Sequence, residues 1–181
     1  MNRARLTWQR WTSRGLALAG LGALAATLAL GGADLLRGLN RAMLADTNTI
    51  GTLGVVFSAV ALGIRPARYL YAAARRQAPA VRLAAGALVT ALRRQHVFLG
   101  WVVFATATVH GLYFLGTGRF GGPRVLDGWL AWALLLVLVG GGWAWAARRA
   151  DRAWRGTLGR WHLLAALLFL AALVLHVWGR G

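Results

Sequence analysis

The sequence predicts an all-α, integral membrane helical bundle of about five transmembrane helices, with the N-terminus cytoplasmic and the C-terminus outside. Three observations predict it. Hydrophobic residues make up 59% of the 181 positions and charged residues only 14%, which is not the composition of a water-soluble globule. Five apolar stretches approach the ~20 helical residues needed to cross a hydrocarbon core. All 21 basic residues are arginines, and they alternate between successive loops in the way that sets membrane orientation.

The first span, residues 15–36, follows Arg3, Arg5, Arg10 and Arg14. Its apolar run is longer than the ~7–15 residues of a signal-peptide core, so it reads as a retained anchor. The second, residues 49–64, is short and rich in small residues (Gly51, Gly54, Ser58, Ala59, Ala61), and it spans by extending past Arg65 or by tilting little. The apolar patch at residues 83–92 lies between Arg82 and Arg93–Arg94. It is too short to cross, and reads as an interfacial helix or as the early turns of the third span. The third, fourth and fifth spans are expected at residues 97–115, 128–147 and 161–178, giving one domain over residues 1–181. Sixteen arginines precede the first span or lie in the loops between spans two and three and between spans four and five. The other side receives five, with Asp34, Asp46 and Asp127. Trp129, Trp132, Trp143, Trp145, Trp154, Trp161 and Trp178 fall at span ends, where an indole keeps one edge wet and its face apolar.

Composition also excludes chemistry. Without Cys there are no disulfides, thiolate metal sites or thiol nucleophiles. With no Glu and four Asp there is no paired-carboxylate site, and no catalytic side chain is expected. The net charge of +17 does not point to nucleic acid, because the arginines sit between apolar runs rather than on one recognition element.

The four histidines are specific. His96 and His110 on the third span, and His162 and His176 on the fifth, are each 14 residues apart. Fourteen residues make nearly four helical turns, so each pair lies on one face with its rings about 21 Å apart along the axis. If both spans run in the same direction, His96 is level with His162 and His110 with His176. Two facing neutral imidazoles are what a six-coordinate b-type haem takes as axial ligands. Arg94 and Arg160 stand beside the inner histidines, and Arg180, with Arg119, near the outer ones, as candidate partners for haem propionates. Phe169 lies midway between His162 and His176 and Phe104 near the matching level of the other helix; core packing is the expected role of both. Gly100, Gly111 and Gly140–Gly142 are expected to let helices, or a flat cofactor, come close.

With Arg93-Arg94-Gln95-His96-Val97-Phe98-Leu99-Gly100 and His110, then Trp161-His162 and His176, the chain resembles the ferric reductase-like transmembrane domain family. That family includes ferric reductases, NADPH oxidases and the haem-binding membrane subunit of a methionine sulfoxide reductase. Arg65-Pro66-Ala67-Arg68 is similar too, and the likeness covers residues 15–178. It implies two b haems, the inner on His96 and His162 and the outer on His110 and His176, with transmembrane electron transfer as a reductase component. The sixth helix and the flavin and nicotinamide module common in that family have no counterpart here. The donor is therefore expected to be a separate flavoprotein or a quinol, and the acceptor an extracytoplasmic protein or small oxidant. Membrane lipids are the other expected partners, and a bacterial inner membrane the expected location. Two other functions fit the same residues: a quinol-oxidising cytochrome b anchor subunit, and a haem-free, His-lined transporter.

Overall fold

The computed structural model describes residues 3–36, 44–116, 123–147 and 152–179. All of its elements are α-helices: α1 (Arg3–Leu36), α2 (Leu44–Leu62), α3 (Ile64–Ala74), α4 (Pro79–Gly116), α5 (Pro123–Ala147) and α6 (Arg152–Trp178). Four are long and apolar enough to cross a membrane, and the bent pair α2–α3 makes a fifth. The fold class is as expected, and every span starts earlier than expected. Starting at Leu44 gives α2 19 residues, or about 28 Å at ~1.5 Å per residue, so it fills a ~30 Å hydrocarbon layer without running past Arg65. The patch at residues 83–92 is not a separate interfacial helix but the beginning of α4, a continuous 38-residue helix. Arg93 and Arg94 do not break it because both side chains are exposed on its surface. α1 also extends well before its apolar run, and α6 starts at Arg152.

The chain bends by 43° between α2 and α3. Pro66 explains the bend. It has no N–H for the carbonyl of Leu62, four residues earlier, and its ring crowds that carbonyl. Gly63, at the break, keeps helical angles (φ −61°, ψ −10°).

Helix directions follow from side-chain contacts. Gln9 meets Thr90 and Ser13 meets Gln95, so α1 and α4 are parallel. Gly54 lies against Thr106 and Gly51 against His110, so α2 opposes α4. Trp132 donates to Thr108 at 3.0 Å while Gly111 faces Trp129, so α5 also opposes α4. Gly128 beside His176 and Gly142 beside His162 make α6 antiparallel to α5 and parallel to α4. Every arginine with a described side chain is exposed, and these directions put them all at the end of the bundle nearer His96. Arg37, Arg41, Arg119, Arg148, Arg149, Asp151 and Arg180 lie outside the described residues.

α4 is the hub, packing on α1, α2, α3 and α5, while α6 packs on α5. Apolar burial drives little helix association in lipid, where close approach and satisfied polar groups matter more. The buried hydroxyls of Thr27, Ser58 and Thr106 each return to a carbonyl of their own helix at 2.7–2.9 Å. Gln95 donates to Ser13 Oγ at 2.8 Å and to the Ser13 carbonyl at 3.2 Å, which fixes the axial register of α4 against α1.

Candidate functional site

Helix α4 carries His96 and His110; α6 carries His162 and His176. Their parallel course brings the four rings together as two pairs. His96 and His162 have ring centroids 6.0 Å apart with planes at 75°. His110 and His176 are 6.2 Å apart at 78°. The 14-residue period therefore appears as two levels of the same geometry. The helices that present them do not pack on one another as their neighbours do: α4 lies against α2 and α5, α6 against α5, and the His faces meet across a gap.

Three rings rest on glycine backbone. A Cβ at Gly51 of α2 would lie 2.8 Å from the His110 ring, and one at Gly128 of α5 would lie 2.9 Å from His176. One at Gly142 of α5 would lie 3.1 Å from His162. Gly128 and Gly142 are themselves 14 residues apart, so α5 repeats the period of the helix it supports. Sequence reasoning noted Gly142 and missed Gly51 and Gly128, although that spacing was a readable signal. Gly100, Gly140 and Gly141 meet nothing within 4 Å, and Gly111 faces only Trp129.

His110 Nδ1 lies 2.9 Å from the Thr47 carbonyl. A carbonyl only accepts, so Nδ1 carries the proton and Nε2 keeps its lone pair. A metal-binding imidazole is normally held this way, the second nitrogen anchored by backbone. At the other level the carbonyl of Ala61 faces His96 and that of Leu138 faces His162. Neither reaches hydrogen-bond geometry, and Nδ1 of each ring is buried without a partner.

Between α2, α4, α5 and α6, at the His110–His176 level, lies a cavity of about 870 Å³, at the upper end of the ~300–1,000 Å³ typical of small-molecule and cofactor sites. His110 and His176 stand in its walls with Phe114, Trp129 and Trp132. Its floor is Val103, Leu135 and Phe169, all buried. Each is the midpoint of a 14-residue interval: Val103 of the His pair on α4, Leu135 of the glycine pair on α5, Phe169 of the His pair on α6. One apolar layer thus separates the two levels.

The expected core role of Phe169 is met, and Phe104 stacks on Trp132 at 6.0 Å. Trp143, Trp145, Trp154, Trp161 and Trp178 are exposed, as interface anchors would be. Trp129 and Trp132 turn inward onto the cavity instead, and Trp132 gives its N–H to Thr108. Arg94 and Arg160 are exposed. Each is two residues before its histidine, about 200° round the helix, so neither projects from the His face. Arg180 lies outside the described residues.

Among the described residues no three His, Cys, Asp or Glu side chains converge on a common point. Among the described residues each level offers two imidazole side chains. That set suits a metal whose remaining positions are filled by its own ligand better than a bare ion, which seeks four or more donors from protein and water. No family model, curated protein or solved structure matches the chain.

Proposed function

We propose that the chain holds two b-type haems, one between His96 and His162 and the other between His110 and His176, and that it passes electrons from one face of a membrane to the other. The observation that carries this reading is the repeated ring separation of 6.0 and 6.2 Å between α4 and α6, whose backbones approach each other less closely than those of the neighbouring helices. An imidazole nitrogen bonds a first-row metal at about 2 Å and its ring centroid lies about 1 Å behind it, so imidazoles on opposite sides of one metal have centroids about 6 Å apart. The glycine cradles, the anchored Nδ1 of His110 and the mostly apolar cavity at the His110–His176 level support the same fit.

Haem iron supplies one-electron redox chemistry when bound. His96 with His162, and His110 with His176, would hold the two groups, and the apolar residues around them would insulate them. Gly51, Gly128 and Gly142 seat the rings, and the Val103–Leu135–Phe169 layer keeps water from the path between levels. Arg94 and Arg160, set about 200° round their helices from the histidines, are not assigned to the propionates.

In this reading the chain is a ferric reductase-like component of a bacterial inner membrane, fed by a separate flavoprotein or a quinol and delivering to an extracytoplasmic acceptor. The spectrum of the purified protein from haem-replete cells tests it. Two low-spin haems b per chain are expected after dithionite, and a colourless preparation overturns the reading.

A further inference from the structure

We infer that α3 is an interfacial helix that binds anionic lipid headgroups. Since α2 uses up the thickness of the hydrocarbon layer, α3 begins at headgroup level, and the 43° bend at Gly63 turns it toward the membrane plane. At ~100° per residue its side chains fall into three sectors. Ala67, Tyr71 and Ala74 form the first; both alanines are buried, and Tyr71 packs beside Gly86 of α4. The second sector is apolar and uncovered: Pro66, Tyr69, Leu70 and Ala73, with Tyr69 73% and Leu70 62% exposed. The third holds Arg65, Arg68 and Arg75, all exposed, with Ala72 among them; Arg75 at the C-cap keeps helical angles, so it stays on the pitch.

A sector bearing Leu70 and Tyr69 does not belong in water. A sector bearing three arginines does not belong in hydrocarbon. The headgroup boundary meets both demands, with the apolar sector sunk toward the acyl chains, the phenol of Tyr69 at the wet edge and the guanidinium groups on phosphate oxygens. Attraction to a negatively charged leaflet is worth up to about fivefold per arginine at the surface. The occupant is thus the bilayer itself, and the charge it must carry is negative. Nothing in the inference depends on the histidines.

The chain holds no cysteine, so Leu70→Cys and Ala72→Cys each provide a single thiol for a polarity-sensitive fluorophore on the full-length protein. In vesicles of phosphatidylcholine with phosphatidylglycerol, the label at position 70 should be quenched by a lipid-borne quencher and shielded from aqueous iodide, and the label at 72 should behave in the opposite way. The variant Arg65→Gln/Arg68→Gln/Arg75→Gln should lose most of the several-fold retention of phosphatidylglycerol over phosphatidylcholine through purification. Labels equally exposed to iodide would overturn the inference. So would labels equally buried in lipid, or an unchanged lipid preference in the triple variant. Labels that are aqueous in these vesicles, yet become shielded when an acidic protein is added, would give this face to a protein partner instead.

Discussion

Replacing Gly128 with alanine should empty the His110–His176 level and leave the His96–His162 level loaded. The added Cβ would lie 2.9 Å from His176 Cε1 and 3.2 Å from its Nδ1, short of the ~3.5–4.0 Å at which carbon atoms rest. The ring has to retreat by about 0.6 Å, whereas metal-holding constellations tolerate about 0.5 Å. Overpacking of this kind costs about 1–3 kcal/mol, which is roughly fivefold to 150-fold in affinity for what the pair holds. Gly51→Ala meets His110 at 2.8 and 2.9 Å and should reproduce the loss at the same level. Gly142→Ala meets His162 at 3.1 Å, so the other level should weaken, by less. Gly140→Ala and Gly141→Ala meet nothing within 4 Å. They should leave both levels intact and add up to about 1 kcal/mol of helix stability. Haem titration followed by Soret absorbance, with electron paramagnetic resonance to resolve the two low-spin signals, reads each level separately. A Gly128→Ala protein that binds two haems with unchanged affinity, or that loses both together, would refute the cradle argument.

His110→Ala and His176→Ala should give one spectral loss and His96→Ala and His162→Ala the other; equal loss from His96 and His176 variants would contradict the parallel course of α4 and α6. Pro66→Ala restores an N–H for the Leu62 carbonyl, so spin-label distances across Gly63 should lengthen as the bend relaxes; unchanged distances would assign the bend to the packing of α3 on α4. The isolated chain should not oxidise NADPH, because a hydride donor and a one-electron acceptor need a flavin or its equivalent between them. Haem reduction should appear on adding a flavoprotein or a quinol, and the flavoprotein rate should fall with salt as the arginine-rich end is screened. Rapid reduction by NADPH alone in stopped-flow absorbance would exclude a separate donor.

The bundle was legible because a membrane imposes long apolar runs, and the His levels because 14 residues nearly close four turns. What escaped the sequence lay where two local rules compete. Thr47 and Asn48 lie before the span expected at residues 49–64, yet they form early turns of α2, where Thr52 bonds the Asn48 carbonyl within its own helix. Arg93 and Arg94 look like a boundary, yet an arginine on a helix surface interrupts nothing. A Pro and paired arginines hid α3, whose face toward α4 is two small alanines and Tyr71 rather than a run of large aliphatic residues. The glycine supports stayed invisible singly, since glycine is common in such spans and only its interval on α5 marks it out. Arg94 and Arg160 drew notice by adjacency in sequence, but two residues along a helix is nearly the opposite face.

The cavity is hard to account for as packing alone. It opens to the surface of the bundle as a cleft of about 870 Å³, so what is left unpaired is its apolar wall. Its walls are mostly apolar side chains, so water satisfies it poorly. α4 and α6 nonetheless leave a cleft at the His110–His176 level, because α2 and α5 carry glycines where the His rings rest, while Leu135 of α5 and Phe169 of α6 fill the layer beneath it. Either α4 and α6 close on each other or something flat and apolar lies between them, and in the second case its binding stabilises the fold. A ligand at ~100 times its dissociation constant adds about 2.7 kcal/mol per site by mass action. Haem added to the haem-depleted chain should therefore raise its unfolding temperature and slow amide exchange along α6 around His176. The gain should vanish in His110→Ala/His176→Ala at that level alone. A depleted chain as stable and as protected as the loaded one would show that the bundle closes on itself, and the reading of the gap as a cofactor site would fall.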